Sequence, residues 1–295
     1  MQLDSQAISS FLQLLSKSAF IAFVLVAVCT YIYFCPPVLT MTNGGFILFP
    51  MPPGEEYKCT SVNNVQREEV WFKNEEGNKL NGWFFQSPNK NAPVILFSHG
   101  NAGNIGHRLM LVKALMDAGA SVFVYDYRAY GLSEGKKNLQ GLSKDAHAAY
   151  NYLVEEKKLA PQKIILYGES IGGGPTCMLA SQVKCGGIIL DSTFTSLLRV
   201  AKKKVAYFNV YPDFLQTVPS MDNFSFLKEK HAPVLIIHGE KDEVIPYSEA
   251  QENFAAASEP KQFVSLPHAT HNWKEPDWNL YIEGIHKFLQ ETQSK

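Results

Sequence analysis

Lys163–Gly173 reads KIILYGESIGG. The apolar run behind Lys163 has the look of a strand buried on both faces, and a helical segment follows Gly172. Between them lies Gly168-Glu169-Ser170-Ile171-Gly172. A bare G-x-S-x-G says little, but one placed between strand and helix is informative. The chain must turn around one residue, which lifts the Ser170 hydroxyl off the end of the sheet. Side chains two places either side would collide, and Gly168 and Gly172 avoid this. The N-terminus of the next helix favours negative charge, which suits a developing oxyanion.

A serine hydroxyl is a poor nucleophile at neutral pH. It needs a base, and the base needs an orienting carboxylate. Both are expected after the serine in chain order, at the C-terminal ends of later strands. Asp242 follows the strand PVLIIHG, in HGEKDEVIP, and His271 follows QFVSLP, in HATHNW. Ser170, Asp242 and His271 are therefore the predicted catalytic set. His268 competes, but it sits almost at the strand end with less freedom to reach over Ser170. Asp191, directly after GIIL, is the alternative carboxylate. Glu240 and Glu243 read as surface charges, and His238 as a histidine packed at the end of a buried strand.

The loop Ser98–Asn104 (SHGNAGN) follows the apolar run PVILF. A tetrahedral intermediate needs backbone N–H groups where oxygen charge develops. Ile171 is expected to supply one, and this loop the other, through Asn101 with Ala102 as second choice. A nucleotide cradle would need G-x-G-x-x-G or a phosphate-loop lysine, and neither is present. In Asp126–Gly131 (DYRAYG), Arg128 and Asp126 read as braces for their loop.

Outward from this centre, short strands alternate with helices. Strands are predicted at 93–98, 121–127, 163–167, 187–190, 234–238 and 262–266, and helices at 107–117, 141–157 and 280–289. Residues 69–73 and 80–86 form a hairpin about Asn74–Asn78. The pattern gives an α/β fold, a mostly parallel central sheet with helices on both faces. The interval from Asp191 to Ala232 is too long for a plain connection. It carries Phe194, Tyr207, Phe208, Tyr211, Phe214, Phe224 and Phe226. It reads either as an excursion packing its own aromatics or as a cap over an apolar pocket, and Lys202–Lys204 within it as a solvated helix face.

The 27 Lys+Arg against 28 Asp+Glu leave a net charge of −1, with no footprint for nucleic acid. Cys29, Cys35, Cys59, Cys177 and Cys185 include no CxxC pair, which argues against a disulfide framework and a zinc site. From Ser18 to Gly54 there is no Lys, Arg, Asp or Glu. Ser18–Cys35 (SAFIAFVLVAVCTYIYFC), as a helix, would span about 27 Å, close to a bilayer's hydrocarbon thickness. It has no polar face, unlike a helix packed on a globular body. A cleaved signal peptide is the nearer rival, but Lys17 alone makes a poor basic stretch. The favoured reading is an uncleaved anchor with the N-terminus cytoplasmic and the large domain on the non-cytoplasmic side, by the positive-inside rule applied to Lys17. The chain then divides into a cytoplasmic segment (1–17), a transmembrane anchor (18–35), a juxtamembrane segment (36–67) and a catalytic domain (68–295) with a cap-like insertion at 192–232.

FSHGNAGNIGHR, DYRAYGLSEG, LYGESIGG, HGEKDEVIP and THN, in that order, resemble the α/β-hydrolase-fold serine hydrolases. The similarity runs from about Phe46 to the C-terminus and is strongest to the membrane-anchored subgroup with an HGNAGN loop, the ABHD-type and Bem-type hydrolases. It implies a serine hydrolase with Ser170 as nucleophile, Asp242 and His271 as relay partners and oxyanion donors at Asn101 and Ile171. No metal or organic cofactor is expected. The expected substrate is an acyl ester or thioester, on a lipid or an acylated protein. A peptidase or amidase on the same fold, and a tethered binding protein without chemistry, are the alternatives. Ala129 stands where relatives usually have Gly, Glu169 where some have Arg or a similar polar residue, and Pro175 lies in the first turns after the nucleophile.

Overall fold

The structure, a computed structural model, describes residues 5–35, 48–204 and 221–293. Its centre is one eight-stranded sheet: β1 (Glu68–Lys73), β2 (Lys79–Phe85), β3 (Val94–Ser98), β4 (Ser121–Tyr125), β5 (Ile164–Glu169), β6 (Gly187–Asp191), β7 (Val234–Gly239) and β8 (Lys261–Leu266). The spatial order is β8-β7-β6-β5-β3-β4-β2-β1. The hairpin β1–β2 and the β2–β4 pair are antiparallel, and all other pairs are parallel. Every residue of β3, β4, β6 and β7 is buried, as their unbroken apolar sequences require, whereas β1 alternates with Val70 and Phe72 inward. The hairpin turns where expected, with Asn74 Oδ1 accepting from the N–H groups of Glu76 and Asn78 and Gly77 at φ +84°.

Helices α2 (Leu109–Asp117) and α8 (Trp278–Gln293) cover one face, where Leu115, Ile285 and Phe288 pack on Phe97, Tyr167 and Leu235. On the other face α3 (Leu139–Asn151), α4 (Gly173–Ala180) and α7 (Tyr247–Ala256) cover Leu96, Leu166 and Ile236. The helix α3 runs on as a π-helical turn to Glu156, so the predicted end at Lys157 is nearly reached. The chain from Leu48 onward is built into this body rather than strung outside it. Leu48 is fully buried, Phe49–Pro50 pairs with Ala102–Gly103, and the Arg67 guanidinium lies 4.2 Å from the Trp83 ring centre.

Two further helices, α5 (Leu197–Lys204) and α6 (Asn223–Lys228), belong to the long interval. Phe194 is buried in the core beside Met221, and the Lys228 ammonium lies 4.2 Å from the Phe224 ring centre. Tyr207, Phe208, Tyr211 and Phe214 lie outside the described residues. Lys203 does more than solvate a helix face. Its ammonium pairs with the buried carboxylate of Glu249, which also accepts from Thr195. The first helix, α1 (Ser5–Tyr33), starts upstream of the predicted anchor, and Ser16–Tyr33 is long and apolar enough to cross a membrane.

The loop after β4 is held as expected. Arg128 is buried, with Nη2 at 2.9 Å and Nε at 3.0 Å from the fully buried Asp145 and Nη1 at 2.7 Å from Glu76. Ala129 sits at φ +65°, a left-handed conformation that explains why a glycine is usual there. Arg128→Ala strands the Asp145 charge in the interior. It is expected to lower unfolding free energy by about 3–5 kcal/mol, read from urea denaturation. A loss comparable to that of an exposed ion pair would contradict the brace.

Candidate active site

The turn after β5 holds Ser170 at φ +53°, within a single 3-10 turn, Ser170–Gly172, that leads into α4. A non-glycine residue there costs on the order of 1–3 kcal/mol and persists only where its surroundings enforce it. They do: Thr193 Oγ1 donates to the Ser170 carbonyl at 2.7 Å. Both glycines are demanded by space. A Cβ on Gly172 would lie 2.0 Å from the Ser98 carbonyl oxygen, and one on Gly168 2.6 Å from that of Gly172.

His271 reaches Ser170 from the loop after β8, with Nε2 3.0 Å from Oγ. Its Nδ1 is 2.7 Å from Asp242 Oδ2, in the loop after β7. The second Asp242 oxygen accepts from the N–H groups of Val244 (2.8 Å) and Ile245 (2.7 Å). Burial pushes the Asp242 carboxyl up, but hydrogen bonds from His238 and His271 and the imidazole charge outweigh it and hold the group well below the usual carboxylate range. An ionised carboxylate only accepts, so Nδ1 of His271 carries the proton and Nε2 is left to accept from the Ser170 hydroxyl. That chain can draw a proton off the serine.

The competing residues are engaged elsewhere. His268 is exposed and pairs with Asp277 at 3.0 Å. Asp191 accepts from Tyr167, Tyr281 and Ser192 hydroxyls, with Lys274 Nζ at 3.4 Å. Glu240 accepts from Ser265, and Glu243 sits at the cleft edge. His238 differs from its sequence reading. Beyond being packed, it places Nε2 2.9 Å from the Ile245 carbonyl and 3.2 Å from Asp242.

Asn101 and Ile171 line the same cleft of about 590 Å³ as Ser170, with Phe194, Leu197, Val200 and Ile245 as its apolar wall. The register pairs Ser98 with Gly168, so the SHGNAGN loop leaves β3 beside the serine turn. The Tyr130 hydroxyl donates to the Asn101 carbonyl at 2.7 Å. Glu169 accepts from the Gly100 N–H at 3.0 Å and pairs with Arg108 at 2.7 Å, and Arg108 Nη2 donates to the Ala102 carbonyl at 2.7 Å.

Comparison with known proteins places this architecture. Residues 93–225 match the model of a family described as the alpha/beta hydrolase fold. The chain is 30% identical over 277 residues to alpha/beta hydrolase domain-containing protein WAV2 of Arabidopsis thaliana, covering 84% of this chain and 89% of that protein. It is 32% identical over 255 residues to protein bem46 of Schizosaccharomyces pombe, covering 83% of each. The chain belongs to the α/β-hydrolase family. An esterase from Pyrococcus furiosus, Pf2001, shares the hydrolase fold at a TM-score of 0.63 and 19% identity, over 83% of this chain and 97% of that one.

Sequence reasoning missed the staple that joins the two loops of this α/β-hydrolase. Burial raises the Glu169 carboxyl, but the charges of Arg108 and Lys274 and the Gly100 N–H lower it further, so it stays ionised. The motif marks Glu169 only as the variable position before the serine, and Arg108, the last residue of FSHGNAGNIGHR, is given no role there. Beneath the staple, burial and the Arg108 charge push His99 down to about 3, so its ring is neutral at pH 7. The neighbouring Asp126 accepts from the Tyr57 hydroxyl and from Ile105 N–H, yet burial pushes it up to about 7. A carboxyl near 3.9 in the unfolded chain and near 7 in the fold keeps its proton longer when folded. Stability is therefore expected to decline as pH rises from about 4 to 7 on this account. Asp126→Asn should remove that decline, seen as a wild-type-minus-variant Tm difference that falls across the window. A difference that rises instead would reverse the assignment.

Proposed function

We propose that this protein is a membrane-anchored serine hydrolase of esters or thioesters. Ser170 Oγ attacks the acyl carbonyl while His271 Nε2 takes its proton. Asp242 holds the imidazole tautomer and stabilises the charge it gains. The tetrahedral oxygen is received by the backbone N–H groups of Asn101 and Ile171. His271 returns the proton to the departing alcohol or thiol. Water then attacks the acyl-serine by the same route and frees the acid. The scheme uses no metal or organic cofactor.

The observation that carries this reading is the unbroken hydrogen-bonded chain Ser170–His271–Asp242 opening on an apolar-walled cleft. The wall of Phe194, Leu197, Val200 and Ile245 supports a lipid-like acyl group, as does the apolar helix Ser16–Tyr33. Lys17, at the N-terminal end of that apolar stretch, supports a single-pass arrangement with the hydrolase domain on the non-cytoplasmic side. A fluorophosphonate probe is expected to label the full-length protein on the Ser170 peptide. Turnover of p-nitrophenyl esters is expected to rise from acetate towards longer chains. A preference for acetate would remove the lipid-like substrate, and turnover of aminoacyl amides without esters would replace the esterase reading by an amidase.

A further inference from the structure

Eight large apolar side chains of the described body, Leu48 onward, are exposed, and six of them either line the clefts at Ser170 or lie on segments bonded to or next to its loops: Phe49, Met51, Met110, Leu132, Val244 and Trp273. Val244 lines the Ser170 cleft itself. Met110 and Trp273 line an adjoining cleft of about 380 Å³ that shares Arg108, Glu169 and His271 with it. Phe49 pairs in register with Ala102, the Met51 N–H donates to the Gly103 carbonyl, and the Met51 carbonyl accepts from Gly131, next to Leu132. Single exposed apolar residues are ordinary, but a cluster around one opening marks an interaction surface. Two of the six have well under half of their surface covered: Phe49 is 60% and Met110 61% exposed.

The chain itself indicates what covers this surface. The described part of the first helix and its end runs to Cys35, and the body resumes at Leu48. Residues 36–47 can span at most about 43 Å. They join the body at Leu48–Phe49, which is on the rim and not on the far side of the sheet. The uncharged stretch that begins at Ser18 runs on through Phe49 and Met51 to Gly54, so no charge separates the apolar helix from the rim. The geometry points to the cleft mouth as a face that docks on the lipid bilayer carrying α1, so that the acyl substrate enters the cleft from the membrane. This rests on the anchored-hydrolase reading above and names the phase from which its substrate comes.

The test uses the full-length protein in nanodiscs of phosphatidylcholine with and without brominated acyl chains. Bromines quench tryptophans that reach the acyl region. Trp273, on the rim, is 54% exposed, and Trp71, on the edge strand β1, is 39% exposed and lines neither cleft at the serine. Emission is expected to fall in brominated discs, the fall to vanish in Trp273→Phe, and to persist in Trp71→Phe. A Met51→Gln, Leu132→Gln double variant is expected to lose turnover of a long-chain ester held in the same disc several-fold, with a soluble short-chain ester turned over as in wild type. Wild-type emission that brominated lipid leaves unchanged, or quenching that survives Trp273→Phe, overturns the docking face. Equal loss with both esters also overturns it. Quenching as expected in a protein that no fluorophosphonate labels would instead sink the hydrolase reading and leave the docking face standing.

Discussion

Ser170→Ala is expected to cut kcat on an activated ester by about 10⁴- to 10⁶-fold with little change in KM. The reason is that only the Oγ is removed. Alanine is no worse than serine at φ +53°, and the Thr193 hydrogen bond goes to the backbone carbonyl of residue 170, which the variant keeps. Thermal unfolding should therefore match wild type, which separates lost chemistry from lost fold. His271→Ala should fall about as far, and the double variant no further, because the two groups act as a unit. Steady-state kinetics of the three proteins check this. A Ser170→Ala enzyme within tenfold of wild type would remove the nucleophile and the scheme with it.

Asp242→Asn is the second large effect, a fall of about 10⁴-fold in kcat. The variant fits the site. Its Oδ1 can still accept from Val244 and Ile245, which fixes the amide so that its NH₂ faces His271 and His238. That NH₂ donates where the carboxylate accepted. Nδ1 of His271 must then be bare and Nε2 protonated, the wrong tautomer for taking the serine's proton. Asp191→Asn is the control, since Asp191 faces the Tyr167 and Tyr281 hydroxyls and Lys274 rather than His271. Its cost should fall on stability. An active Asp242→Asn beside an inactive Asp191→Asn would exchange the two carboxylates.

Much of this was legible in the sequence because it depends on local pattern. The runs VILFS, IILY, GIIL and VLIIH could only be strands covered on both faces, and the glycines flanking Ser170 could only serve a crowded turn. His271 was separable from His268 by its distance past the strand end. What could not be read is pairing set by sheet register. The Glu169–Arg108 pair exists because β3 and β5 lie side by side, and sequence pattern carries no such adjacency. The contact of His238 with Asp242 was hidden for a related reason: a loop folds the carboxylate back over its own strand. The sequence divides off 36–67 as a juxtamembrane segment, whereas its described residues, 48–67, are built into the domain. Their place is set by Trp83 and by the edge offered at Ala102–Gly103.

The contact between Gly172 and the Ser98 carbonyl has a consequence for how relatives of this chain can diverge. With the serine turn wedged on one side and Glu169 and Arg108 tying the neighbouring loop to it on the other, that half of the cleft tolerates almost no change in shape. Differences in substrate preference are then expected in the rest of the cleft lining, in Leu197 and Val200 of α5 and in Val244 and Ile245. Directed libraries confined to those four positions would retune selectivity while sparing the proton relay, whereas randomising the glycines would yield mostly dead protein.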